Sequence, residues 1–268
     1  MSASPASSFS PDSACVDAVR PSPNFGPRKG CGQADILLLH YTGMVTGPAA
    51  LDWLVTPESG VSCHYFVDED GTVTQLVAEA DRAWHAGVSS WAGITDINSH
   101  SIGIEIVNPG HEFGYREFPE AQIAAVVELC RDIVARNGIA ADRVLGHSDV
   151  APARKTDPGE KFPWSRLAAA GVGLWREPAP IEAGPQLSEG DSGPDVFTLR
   201  RRLRAFGYGL GEGDIYDPET ALVVAAFQRH FRTARIDGVA DLSTLETLTR
   251  LEAARAEALS LSPPATGV

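Results

Sequence analysis

Ser101-Ile102-Gly103-Ile104-Glu105-Ile106-Val107 alternates strictly, with the three isoleucines on one face and Gly103, Glu105 and Val107 on the other. A strand of this period buries its isoleucines, so the one carboxylate of the run, Glu105, points the other way. Upstream, Ile36-Leu37-Leu38-Leu39 leads into His40 as a short buried strand, and Thr46-Gly47-Pro48 can start a helix through Leu51, Trp53 and Leu54. Residues 61–67 and 72–77 flank Asp68-Glu69-Asp70-Gly71, a hairpin signal. Downstream, Ile123, Val126, Val127, Cys130, Ile133 and Val134 recur at helical spacing between Pro119 and the stop at Asn137-Gly138. Val144-Leu145-Gly146 then leads into His147 as a further strand. Strands alternating with helices over 35–176 predict an α/β fold, a mixed central sheet flanked by helices.

The chain divides by composition. Residues 1–30, rich in Ser, Pro and Asp, predict an N-terminal arm lying on the main domain, which spans 31–176. Three prolines and a glycine within 177–185 cannot continue a helix or a central strand, so 177–186 reads as a linker. Amphipathic stretches at 195–206, 218–231 and 242–251 make 187–252 a small all-α three-helix domain, followed by a tail at 253–268. An exposed linker predicts that 1–176 folds alone. Arg200, Arg201, Arg202 and Arg204 read first as the solvated face of their helix.

With 22 Lys and Arg against 35 Asp and Glu, the formal net charge is -13, which excludes a binder of phosphate backbones. No apolar run approaches the roughly 20 residues of a membrane span. The first residues carry no cation before Arg20 and no apolar segment, so no secretory signal is expected and the cytoplasm is the expected compartment. Cys15, Cys31, Cys63 and Cys130 have no C-x-x-C spacing, which argues for inert thiols rather than a thiolate metal site.

Of the seven histidines, His40 and His147 each follow a short apolar strand, at a sheet rim that can gather residues distant in sequence. The loop after His147 adds Lys155 and Asp157. Two imidazoles and a carboxylate are the ligand set of catalytic zinc; the same residues also suit a solvated charged loop.

Five segments in order, ILLLHYTG, SCHYFVDEDGTVTQLV, RAWHAGVSSW, SIGIEIVNPG and GHSDVAPARKTDPGEKFPW, resemble the motifs of the type 2 zinc-dependent N-acetylmuramoyl-L-alanine amidases, whose fold is shared with peptidoglycan recognition proteins. The resemblance spans about 35–167. It implies one Zn2+ per chain held by His40, His147 and Asp157, with Glu105 as general base and Lys155 as transition-state stabiliser. Zinc lowers the pKa of water towards about 7, and a carboxylate within reach can take the proton as water attacks the amide. The resemblance further implies a substrate groove lined by Trp84, His85 and Trp91, with Arg154 pairing to a stem-peptide carboxylate. Cys63 stands where peptidoglycan recognition amidases have a tyrosine, which leaves the base role to Glu105.

The segments LSEGDSGPDVFTLRRRLRAFGY and DGVADLSTLETL resemble the three-helix peptidoglycan-binding domain, with Thr220 and Thr244 opening two half-repeats of one design. The resemblance therefore implies a bacterial-type amidase that hydrolyses the linear amide between the lactyl group of N-acetylmuramic acid and L-Ala, with peptidoglycan or muropeptides as partners. The alternative is a non-catalytic muropeptide-binding or wall-anchoring protein on the same fold. A wall-binding domain also raises the cell envelope or periplasm as an alternative to the cytoplasm.

Overall fold

The computed structural model describes residues 9–261; residues 1–8 of the expected arm and 262–268 of the expected tail lie outside the described residues. Its strands are β1 (Ala18–Val19), β2 (Phe25–Pro27), β3 (Ile36–Tyr41), β4 (Tyr65–Val67), β5 (Val73–Gln75), β6 (Asp81–Ala83), β7 (Ser101–Ile106) and β8 (Val144–Gly146). Six of them form one sheet in the order β1-β5-β4-β7-β3-β8, while β2 and β6 pair separately. β3 runs parallel to β7 with His40 opposite Glu105, and the antiparallel β4–β5 hairpin makes the sheet mixed.

The helices are α1 (Gly47–Leu54), α2 (Ile97–His100), α3 (Gly110–Phe113), α4 (Glu120–Asn137), α5 (His147–Val150), α6 (Trp164–Ala169), α7 (Pro194–Phe206), α8 (Pro218–Phe231) and α9 (Leu242–Leu261). Thr46 caps α1 by accepting from the Ala49 amide, as a threonine before a first-turn proline should. α4 stops at Gly138, whose φ of 65° suits glycine.

Alternation along β3 sends its side chains into two cores. Leu37 and Leu39 join the β7 isoleucines and Ile123, Val126, Leu129 and Ile133 of α4. Ile36 and Leu38 belong to a cluster that runs through Trp91, Leu145 and Val150 into Leu199, Leu203 and Phe206 of α7 and Phe227 of α8. The linker composition predicted a main domain with its own core; instead one apolar cluster is shared between that domain and the C-terminal helices.

Three further differences have local causes. The expected tail continues α9 to Leu261, because Ala254 buries into the shared cluster and the Ala, Glu and Arg residues around it favour helix. Arg200 is 5% exposed rather than solvated; it donates to Asp217 and Thr220, and Arg232 likewise donates to Asp241 and Thr244. Each Asp also accepts from the amide of its Thr, so the half-repeats are built alike. The arm supplies β1 and β2, with β1 extending the sheet beside β5.

Candidate metal centre and catalytic cleft

β3 carries His40 as its penultimate residue, β8 delivers His147 into α5, and the loop beyond α5 returns Asp157 to the same point. His40 Nδ1 lies 2.9 Å from His147 Nδ1, and each of these nitrogens is 3.0 Å from Asp157 Oδ2. Ligand atoms arranged tetrahedrally about one ion at 2.0–2.1 Å stand about 3.3 Å apart, so the triangle needs to open by only a few tenths of an ångström to hold one zinc. All three residues are buried, and they form the one candidate metal cluster among the described residues.

The electrostatics suit the donor set. Burial, reinforced by His147, lowers the His40 pKa to about 4, which keeps the ring neutral and able to ligate. Burial alone would raise Asp157, but His147 and His40 hold it well below the usual carboxylate range. Glu105 moves the opposite way, pushed well above its ordinary value by burial and by Asp157, with Lys155 opposing. Its Oε2 is buried without a hydrogen-bond partner. An orphaned carboxylate oxygen beside a metal triangle is an open acceptor position for a water.

Glu105 and Lys155 line the same cleft as the triangle, a cavity of about 600 Å³ between α1 and the α3 region. Of the expected groove residues, Trp84, His85 and Arg154 also line it. Trp91 does not: it is 2% exposed and packs edge-on against Phe206 and Tyr208, so the apolar surface of the C-terminal helices takes the ring that the motif suggested for substrate. Arg154 is largely engaged, donating from Nε and one terminal nitrogen to the carbonyls of Ala86 and Val88. His64 is structural, accepting at Nδ1 from the Gly103 amide while Nε2 faces Arg28 and the Asp81 carbonyl. Cys63 is fully buried and its thiol is pushed well above its ordinary pKa by burial and by Glu105, which suits an inert side chain.

Sequence reasoning missed Asp149. Its carboxylate accepts from the Gly146 amide, from the Tyr208 hydroxyl and from His230 Nδ1, with His230 stacked on Trp164 at 3.7 Å. The turn that carries His147 is thus held by Tyr208, just beyond α7, and by His230 of α8. No local pattern links positions 149, 208 and 230.

A family model for N-acetylmuramoyl-L-alanine amidase matches residues 31–160, and one for a peptidoglycan binding domain matches residues 192–248. N-acetylmuramoyl-L-alanine amidase AmiD of Escherichia coli (strain K12) is 36% identical over 221 residues, covering 78% of this chain and 79% of AmiD. The chain belongs to the N-acetylmuramoyl-L-alanine amidase family. This amidase shares its fold with AmiD in complex with anhydro-N-acetylmuramic acid-L-Ala-D-gamma-Glu-L-Lys, at a TM-score of 0.70 and 34% identity over 84% of this chain and 89% of that one. AMPDH3 from Pseudomonas aeruginosa gives a TM-score of 0.69 at 31% identity, over 84% of this chain and 94% of its own. These likenesses bear out the mixed α/β sheet with added C-terminal helices. No helix among the described residues is long and apolar enough to cross a membrane.

Proposed function

We propose that this amidase uses zinc to hydrolyse the amide between the lactyl group of N-acetylmuramic acid and L-Ala of the stem peptide. The observation that carries the reading is the buried triangle of His40, His147 and Asp157 in a cleft that Glu105, with one unpartnered carboxylate oxygen, also lines. His40 and His147 would hold the ion through Nδ1 and Asp157 through Oδ2. Zinc at such a site supplies a Lewis acid and makes water more acidic. Glu105, lining the same cleft, takes the proton from the attacking water and returns it to the leaving L-Ala amine. Lys155 presents a positive charge to the developing oxyanion, the kind of preorganised charge worth about 3–4 kcal/mol in other hydrolases. Trp84 offers an aromatic wall to the substrate.

The division of labour in this reading is catalysis within 31–176, a linker at 177–186 and peptidoglycan binding within 187–252, and the family matches over 31–160 and 192–248 support it. The complex of AmiD with an anhydromuramyl tripeptide supports a muropeptide as substrate. For the compartment the reading is the cytoplasm, where soluble muropeptides are recycled; the peptidoglycan binding match favours the envelope, and cell fractionation decides between them. The function itself is tested by digesting a purified muropeptide and weighing the products. Free peptide beginning at L-Ala and sugar with an intact lactyl carboxylate are expected; cleavage at another bond contradicts the reading.

A further inference from the structure

Both imidazoles of the triangle turn their second nitrogen toward one dipeptide, His85-Ala86, in the loop after β6. His147 Nε2 lies 3.0 Å from the Ala86 carbonyl oxygen. A carbonyl only accepts, so Nε2 carries the proton, and in the neutral ring that a metal requires Nδ1 is then bare toward the centre. His40 Nε2 lies 3.0 Å from His85 Nδ1, His85 Nε2 lies 3.3 Å from Ser101 Oγ, and Ser101 donates to the Ile97 carbonyl across 2.6 Å.

This second chain has one polarity. The Ile97 carbonyl takes the Ser101 proton, so Ser101 Oγ is left to accept from His85 Nε2–H. His85 Nδ1 then holds a lone pair, and His40 must donate to it from Nε2. Each ring, when neutral, is therefore driven to present a bare Nδ1 at the triangle.

Two residues keep the dipeptide in place. Asn98 Oδ1 accepts from both of its amides, His85 at 3.0 Å and Ala86 at 2.8 Å. Gly103 leaves room for the ring: a Cβ there would stand 2.6 Å from His85 ring atoms, in a strand whose neighbours are all larger.

We propose that His85, with the Ala86 carbonyl and their anchor Asn98, are positioning residues that set the tautomers of both metal-binding histidines. This assigns His85, on the wall of the cleft, a role toward the His40 ring, and it rests on the zinc reading above. Outer partners of metal-ligating histidines fix ring orientation and tautomer, and losing one typically weakens binding by about 10–100-fold.

The test compares zinc affinity, by competition with a chromogenic chelator, and histidine tautomers, by nitrogen NMR of zinc-free protein. His85→Leu fills the space without an acceptor and should weaken zinc by about 10–100-fold. His85→Asn, whose amide oxygen reaches the place of Nδ1, should recover most of that loss. In zinc-free His85→Leu, His40 should lose its pure Nε2–H form while His147, still facing Ala86, keeps it. Should His85→Leu not fold, the same comparison runs on Asn98→Ala, which should weaken zinc, and Asn98→Asp, which keeps the accepting oxygen and should not. Unchanged affinity and unchanged His40 tautomer in His85→Leu, or in Asn98→Ala where that takes its place, overturn the proposal. A wild-type chain that binds no zinc removes the zinc reading itself, while the tautomer assignment still stands or falls on the NMR result.

Discussion

Tyr208, just beyond α7, donates its hydroxyl across 2.9 Å to Oδ1 of Asp149, two residues beyond the candidate metal ligand His147. Both groups are buried, and burial with the Asp149 charge pushes the tyrosine well above its ordinary pKa, so it stays a donor. Tyr208→Phe removes one hydrogen bond to a buried carboxylate and should cost about 1.5–3 kcal/mol in a denaturant titration. A loss below a few tenths of a kcal/mol would mean that the brace does not hold the turn.

The shared core sets the outcome of truncation. A chain ending at residue 186 would cut the shared cluster and uncover Trp91, which packs on Phe206 and Tyr208, and the α5 turn, which packs on α8. An apolar face of that kind in water favours aggregation or loss of order. The truncated chain should bind a hydrophobic dye and lose its near-UV signal; a monomeric, cooperatively melting fragment would show that the helices are dispensable.

Glu105→Gln and Lys155→Ala separate base and charge from metal binding. Each should retain zinc, and Glu105→Gln should lower turnover on a soluble muropeptide by about 10²–10⁴-fold. Turnover near wild type in Glu105→Gln would remove Glu105 from the chemistry.

Glu79 gives a pH signature. It accepts from Tyr65, both terminal nitrogens of Arg136 and Asn137, tying the hairpin to the end of α4. Burial alone would raise its pKa, but these donors, Arg136 first, hold it below the ordinary value. A folded pKa below the unfolded one gives stability that is complete above the unfolded value, about 4.3, and lost as pH falls through the folded value. Wild type should therefore exceed Glu79→Gln by about 2 kcal/mol at pH 7, with the gap closing in acid. A gap that does not change with pH would contradict this.

Much of the fold was legible because its signals are local. The alternation at 101–107, the cap at Thr46 and the stop at Asn137-Gly138 each lie within a few residues, and each element formed where its pattern placed it. For the candidate metal triangle, local pattern placed His40 and His147 at the ends of short apolar strands, which do pair in one sheet, while the choice of Asp157 as their partner came from the five-motif resemblance. Trp91 misled because an aromatic in a motif looks the same whether it meets substrate or a second helical layer. Asp149 was silent because its partners lie 59 and 81 residues away. Arg200 was misread because helical spacing shows a face, not what packs on it.

In the proposed mechanism His40, His147 and Asp157 hold the zinc this amidase needs. The most direct measurement is elemental analysis of zinc per chain in wild type and in His40→Ala, His147→Ala and Asp157→Ala, each assayed on the same muropeptide. The account predicts one zinc and full hydrolysis in wild type, with zinc and turnover lost together in all three variants. Full zinc occupancy in any of the three, or undiminished hydrolysis without zinc, would contradict it.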